Sequence, residues 1–363
     1  MSIKSIGKKP FIFLVLLIIN VTVHYGQESI LIGEKYFLES QVLNESREFW
    51  VSLPKHYNDT VYAKKTYPVC YFFDGDSHFE TLVALRNRLS GGVYANMPEM
   101  IMVGIQQKDR TKELTPTTMK TPADWKRADF STSGGNGVFM HYIEDELKPL
   151  INKTYRTNEF SILIGHSFGG LAVMNTFVNH PERYNAYIAL DPSLWWDNEI
   201  VLNQMNQNLQ DNRYKGKTLI LAKATDAGAG VKHHNANLKA NEKLSEFSDQ
   251  ASWRYRFSVY QNEDHGSMVV PAEYDALRFV FEGYKLPVKQ LMKTPELIEG
   301  HYKSVSENLG YSVIPEEWLL DTLATVCLRQ DLIDQAKALL LKNTEYYPES
   351  AHAKARLNTL NSK

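Results

Sequence analysis

The sequence is poor in cysteine, has no excess of either charge, and lacks an apolar run long enough to cross a bilayer. Only Cys70 and Cys327 occur in 363 residues, so there is no disulfide framework and no Cys-x-x-Cys pair to hold a metal. Cys70 lies in an apolar run and Cys327 in a distant helical one. Two buried free thiols are expected, and neither has a basic neighbour in sequence that would activate it. The 40 Lys and Arg against 42 Asp and Glu give a net charge of −2, which excludes the basic footprint of a nucleic-acid or anionic-membrane binder. The apolar run near the start, Phe11–Val23, is about 13 residues, short of the roughly 20 that a spanning helix needs. It follows Lys4, Lys8 and Lys9 and precedes Gly26 and Gln27, the pattern of a signal peptide over residues 1–26; an uncleaved anchor is the alternative. No cysteine follows this run, so no lipoprotein anchor is expected. The mature chain is predicted to be exported, periplasmic or secreted, without stable membrane insertion.

What is present is a globular composition, 43% hydrophobic and 12% aromatic, with room for a large α/β domain and a smaller module. From Tyr36 to Leu53 the residues alternate as antiparallel strands do. Tyr67–Phe73 and Met100–Ile105 are continuous apolar runs of the kind buried on both faces of a sheet. Tyr187–Leu190, Thr218–Ala222 and Arg254–Val259 read as further strands, and helical spacing recurs over 79–89, 139–151, 235–247 and 272–281. Strands alternating with helices predict a mostly parallel sheet covered on both faces. After Leu286-Pro287 the strands vanish. Leu319, Leu320, Leu323, Ala324 and Cys327 then share one helical face, and Leu332, Ala336, Leu339 and Leu340 another. The expected organisation is a signal peptide (1–26), an α/β domain (28–288) and a small all-α module (289–363).

The chemistry concentrates at Ser161-Ile-Leu-Ile-Gly-His-Ser-Phe-Gly-Gly170. An apolar strand runs into Gly165-His-Ser-Phe-Gly169, and an apolar helix begins at once. This is a G-x-S-x-G nucleophile elbow in the strand–turn–helix context it requires. The turn strains Ser167, and the flanking glycines let neighbouring segments pack close around it. A serine hydroxyl needs a base to take its proton. Among 11 histidines, His265 fits, following the last predicted strand in Asn262-Glu-Asp-His-Gly-Ser-Met268. His166, next to the serine, is read as a packing residue, and the adjacent pair His233 and His234 as solvated, with no metal expected. For the acid that orients His265, Asp226 after the strand 218–222 is the first candidate and Asp191 after the preceding strand the second; Glu263 and Asp264 are too near His265 in sequence for easy geometry. The oxyanion of a tetrahedral intermediate needs donors. These are expected from the N–H of Phe168 and from the turn Asp74-Gly75-Asp76, where either Gly75 or Asp76 supplies the group.

Together these residues resemble the putative-esterase family of α/β hydrolases, which includes esterase D, the enterobactin and salmochelin esterases, feruloyl esterases and mycolyltransferases. Ser40–Arg47 with Leu53-Pro54 resembles the family's opening hairpin, and Tyr67-Pro-Val-Cys-Tyr-Phe-Phe-Asp-Gly75 its oxyanion-loop strand. Val103-Gly-Ile105, with Arg110 and Leu114-Thr-Pro116, is similar to its next strand and loop. Asp191-Pro-Ser-Leu-Trp-Trp196 resembles a Ser-Pro-Ser-x-Trp-Trp segment with Asp191 in place of the first serine, and Asp264-His-Gly-Ser267 resembles the histidine loop. The resemblance covers roughly residues 35–285 and is nearest the siderophore-esterase-like, periplasmic branch. It implies an α/β-hydrolase fold, a substrate pocket lined by Trp195 and Trp196, and a contact from Arg110 to an acidic or catecholic substrate. The segments Ala336–Asn343 and Tyr347–Ser350 resemble a tetratricopeptide-like extension, which would cover the hydrolase domain or, alternatively, contact a protein partner.

The expected protein is a cofactor-independent serine hydrolase acting on a small-molecule ester through Ser167, His265 and Asp226. The alternatives are an acyltransferase built on the same residues and a non-catalytic hydrolase-like domain carrying a helical interaction module.

Overall fold

The apolar runs become the strands of one eight-stranded sheet in a computed structural model of the chain, which describes residues 29–121, 128–209, 212–225, 229–248 and 253–362. The strands are β1 (Glu34–Ser40), β2 (Glu45–Ser52), β3 (Tyr67–Phe72), β4 (Ile101–Ile105), β5 (Thr157–His166), β6 (Ala186–Leu190), β7 (Thr218–Ala224) and β8 (Arg254–Tyr260). They lie in the order β1-β2-β4-β3-β5-β6-β7-β8. The hairpin β1–β2 joins β4 antiparallel, and every pairing from β4 to β8 is parallel. This is an α/β-hydrolase fold. The expected signal segment 1–26 and the candidate acid Asp226 both lie outside the described residues.

Burial explains the two kinds of strand. All residues of β3, β4, β6 and β7 are buried, as parallel strands with helices on both faces require. The edge strand β1 alternates and stays largely exposed. Along the central strands the side chains alternate between faces. Cys70, Phe72, Ile162, Ile164 and Ile188 enter one core, and Val69, Tyr71, Phe73, Leu163 and Tyr187 the other. Cys70 and Cys327 are buried and unpaired.

The first of these cores also receives the C-terminal helices Leu297–Leu309, Glu317–Arg329 and Ile333–Tyr346. Among the described residues of the α/β part, the helices Gly75–Leu89 and Val269–Val280 cover that face, and the tail completes the cover. Tyr311 packs its ring 4.7 Å from that of Phe160 on β5. A polar clasp reinforces the contact. Lys65 Nζ lies 3.2 Å from Glu99 and also pairs with Glu316. His56 hydrogen-bonds Glu99 at 2.8 Å and stacks on Trp318, and the N–H of Ala63 donates to Glu317. The helices that follow residue 288 thus pack into the core of the α/β part, and Ile32–Lys363 forms one compact unit. Among the described residues no helix is long and apolar enough to cross a membrane.

This shared core predicts cooperative unfolding. Leu320, at 0% exposure in the tail's contribution to it, should cost about 2–5 kcal/mol when replaced by alanine. Calorimetry of Leu320→Ala should show a single transition displaced to lower temperature; a separate early step for the tail would mean that the two parts unfold independently.

Candidate active site

β5 ends at His166, and the helix Phe168–Asn179 begins immediately after Ser167, which takes φ 58° and ψ −113°. Such a backbone costs a residue with a Cβ about 1–3 kcal/mol and persists only where its surroundings enforce it. Here the Ser167 N–H donates to Leu190 O at 3.0 Å, and its carbonyl accepts from Leu171 at 2.9 Å and from Ser193 at 3.0 Å. A Cβ at Gly165 would stand 2.4 Å from the carbonyl carbon of Gly169, so only glycine lets the helix return this close to the strand. Ser167 Oγ lies 3.3 Å from Ser193 Oγ. Among the described residues it has no hydrogen bond to His265, a contact that such sites often tighten only when substrate is bound.

His265 stands between β8 and the helix Val269–Val280. Its loop is fastened by Asp264, whose Oδ1 accepts from the N–H groups of Gly266 and Ser267, each at 2.8 Å. The imidazole Nδ1 lies 2.7 Å from Oδ2 of Asp191, which leaves Nε2 to face the cleft shared with Ser167. Asp191, the second candidate for the acid, thus stands against His265 directly after β6, whereas Asp226 lies outside the described residues. Asp191 is itself in a left-handed conformation, φ 38°, fixed by its N–H to Ala222 O at 2.7 Å. Its other oxygen, Oδ1, lies 3.1 Å from His233 Nε2, in a charge contact not aligned as a regular hydrogen bond. Burial alone would raise the Asp191 carboxyl, but His233 and His265 outweigh it and hold the group well below the usual carboxylate range. His233 is therefore buried beside the acid and not solvated as the sequence suggested. The helix it sits on begins at Val231, not Asn235, and turns His233 inward. Asp191, His233 and His265 also have ligand atoms within 4.8 Å of one another, a set that could hold a metal ion.

A second set of contacts locks the elbow to the turn after β3. Arg110, expected to touch substrate, donates to both oxygens of Asp74 at 2.7 and 3.0 Å and to the carbonyl of His166 at 3.0 Å. Its described bonds hold the framework of the site. His166 does more than pack. Its Nε2 donates to the carbonyl of His265 at 2.8 Å, and the carbonyl acceptor assigns the proton to that nitrogen. Burial, reinforced by the neighbouring His265 ring, pushes His166 down to about 3. In the turn itself, the Asp74 N–H is taken by Gln107 at 2.7 Å and that of Asp76 by Gln106 at 3.1 Å. The N–H groups of Gly75 and Phe168 make no hydrogen bond among the described residues. Of the two expected turn donors, Gly75 is thus available and Asp76 is not. A Cβ at Gly75 would come within 2.9 Å of the backbone of Gly104.

The cleft over Ser167 measures about 400 Å³. Trp196 does not line it. That residue is 0% exposed and donates its indole N–H to Thr117, so it belongs to the wall behind the site. Trp195 is half-buried beside Phe168 and Phe130. Sequence reasoning gave no role to Ser193, although it stands in the Asp191-Pro-Ser-Leu-Trp-Trp196 segment, and missed His233 and the wall residue His78, which fall in no motif.

Residues 40–271 match the family model described as putative esterase. The chain is 27% identical to the siderophore triacetylfusarinine C esterase of Aspergillus fumigatus, over 47% of this chain and 59% of that enzyme, under two thirds of its length. It is also 27% identical to the ferri-bacillibactin esterase BesA of Bacillus subtilis, over 65% of this chain and 86% of that enzyme. An IroE-like serine hydrolase from Shewanella oneidensis superposes with a TM-score of 0.77 at 29% identity, covering 86% of this chain and 99% of its own.

The depressed His166 has a measurable consequence. An unfolded histidine binds its proton near 6.5, whereas folded His166 resists protonation down to about 3. The unfolded state therefore binds more protons in that window, and His166 makes stability fall as pH drops from 6.5 towards 3. His166→Gln, which keeps an N–H donor without titrating, should flatten the fall of Tm across that range; parallel curves for the two proteins would refute the assignment.

Proposed function

This chain belongs to the putative esterase family, and from that premise we propose that it is a serine esterase with Ser167 as nucleophile, His265 as general base and Asp191 as the orienting acid. Ser167 Oγ attacks the ester carbonyl carbon while His265 Nε2 takes its proton. The tetrahedral oxyanion is held by the N–H groups of Phe168 and Gly75. Collapse breaks the bond to the alcohol, which leaves with the proton from His265, and a water activated by the same imidazole then releases the acid. Asp191 keeps the tautomer with the Nδ1 proton and stabilises the imidazolium. The observation that carries this reading is the 2.7 Å contact between Asp191 and His265 Nδ1, in the same cleft as the strained Ser167.

The substrate is a polar, oxygen-rich ester of the siderophore class. Two relatives are named for siderophore esters. In support, every side chain lining the cleft is charged, hydroxylic, amide or imidazole, among them Asp76, Ser77 and Gln107, a poor match for a long acyl chain. The pattern of residues 1–26 supports export.

Ser167→Ala should lower turnover of 4-nitrophenyl acetate by roughly 10³-fold or more and abolish labelling by a fluorophosphonate; unchanged turnover in the folded variant removes Ser167 from the reaction. Asp191→Asn should reduce kcat by an amount on the order of 10⁴, with Asp226→Asn staying within about threefold of the parent. The reverse ranking would restore Asp226 as the acid.

A further inference from the structure

Four groups lining the cleft can carry positive charge, and three are engaged. Arg110 holds Asp74 and the His166 carbonyl, His166 is neutral and donates to His265 O, and His265 is bound to Asp191. The fourth is His78, in the first turn of the helix Gly75–Leu89 and 8% exposed at the cleft wall. Its Nδ1 lies 2.6 Å from Oε1 of Glu273 on the helix Val269–Val280. Glu273 is 0% exposed, and its Oε2 has no hydrogen-bond partner among the described residues. A carboxylate buried this deeply is destabilising unless it is paired, and its partner here is an imidazole on the wall of the reaction cleft. With Nδ1 taken, Nε2 is the polar atom that His78 can present to a ligand. Burial would lower the imidazole, but the bond to Glu273 overrides it and raises the group. The protonated pair is neutral overall and offers an N–H donor to the cleft.

We propose that His78, backed by Glu273, is a specificity-determining residue that donates from Nε2 to an anionic oxygen of the substrate, carboxylate or phenolate, outside the scissile ester group. The proposal rests on the esterase reading of the cleft and assigns recognition, not chemistry, to the pair. Glu273 acts through His78 as a positioning residue, fixing the ring and favouring its protonated form. Asp74 and Asp76 border the same wall. Arg110 neutralises Asp74, so a donor at His78 is what makes the wall hospitable to an anion.

The test compares two 4-nitrophenyl esters with acyl chains of equal length, the hydrogen glutarate (anionic) and the methyl glutarate (neutral). Steady-state kcat and KM are measured for the parent, His78→Gln, His78→Asn (an amide donor left for Glu273, Nε2 removed) and Glu273→Gln. The expected result is a parent that favours the anionic ester in kcat/KM. The His78 variants should raise KM for that ester about 10-fold or more beyond any change with the neutral one, and Glu273→Gln should shift the ratio the same way by less. A parent without that preference, or variants that affect both esters equally, would overturn the proposal by reducing the pair to a structural role. If the parent hydrolyses neither ester and fails to label with a fluorophosphonate, the esterase reading falls and the proposal with it, an outcome distinct from an unchanged ratio.

Discussion

Three neighbouring strands of the sheet end in the same unfavourable way, and the site exists because they do. β3 runs out into Asp74 (φ 51°), β5 into Ser167 (φ 58°) and β6 into Asp191 (φ 38°), all non-glycine residues in the left-handed region. Each costs on the order of 1–3 kcal/mol in isolation. Each is held by a partner on a neighbouring segment: Asp74 by Arg110, Ser167 by Leu190 and Ser193, and Asp191 by Ala222. A parallel sheet presents its carboxyl ends as a row of abrupt departures. Forcing a left-handed step there throws the side chain back over the sheet edge. The strain is thus the device that brings the turn at Asp74, the Ser167 hydroxyl and the Asp191 carboxylate together from positions more than a hundred residues apart.

The electrostatics follow from the same crowding. The rings of His166 and His265 lie 4.4 Å apart, a spacing at which two imidazolium charges would repel strongly. The site keeps His166 neutral by burial and by an acceptor that dictates its tautomer, so that these two rings never carry charge together. Asp191 has the opposite problem, a carboxylate almost out of water, and two imidazoles facing its two oxygens offset the desolvation. Arg110 ties two of the three strained turns together through Asp74 and the His166 carbonyl, so its charge is balanced inside the framework.

How much of this was legible in the sequence depended on how local the determinant was. The elbow was readable because strand, turn and helix are consecutive and Gly165 is dictated by a clash with Gly169, only four residues on. The strands were readable from their apolar runs. The proposed acid was not, because Asp191 and Asp226 each follow a strand in the sequence, and β6 and β7 are adjacent with Leu190 level with Ala222. What turns Asp191 toward His265 is the direction in which the chain leaves β6, and that is fixed by the Ser193 and Ala222 contacts rather than by residue type. His233 and His78 failed for a related reason. Both lie at helix starts that apolar periodicity placed a few residues late, since first turns are defined by backbone geometry and not by an apolar stripe. Trp195 and Trp196 look equivalent in sequence, yet the helix that starts there sends one indole into the core and leaves the other half-buried.

The C-terminal helices illustrate the complementary limit. Their amphipathic faces were plain, but an apolar stripe does not name the surface it covers. The surface is the sheet face that also seats the helix Val269–Val280 through Met268, Ala272 and Ala276. That helix continues the His265 loop without a break and carries Glu273. Its first turn is bonded into the loop, Met268 N–H to Asp264 O at 3.2 Å and Val269 N–H to Gly266 O at 3.4 Å. The tail therefore packs into the same core as the element that positions both histidine-bearing walls of the cleft. A covering role for the tail is then not passive: loosening its packing in this core, as at Tyr311 on Phe160, would loosen the seat of that helix, and the imidazole of His265 would lose definition relative to Ser167 without any tail contact to either among the described residues.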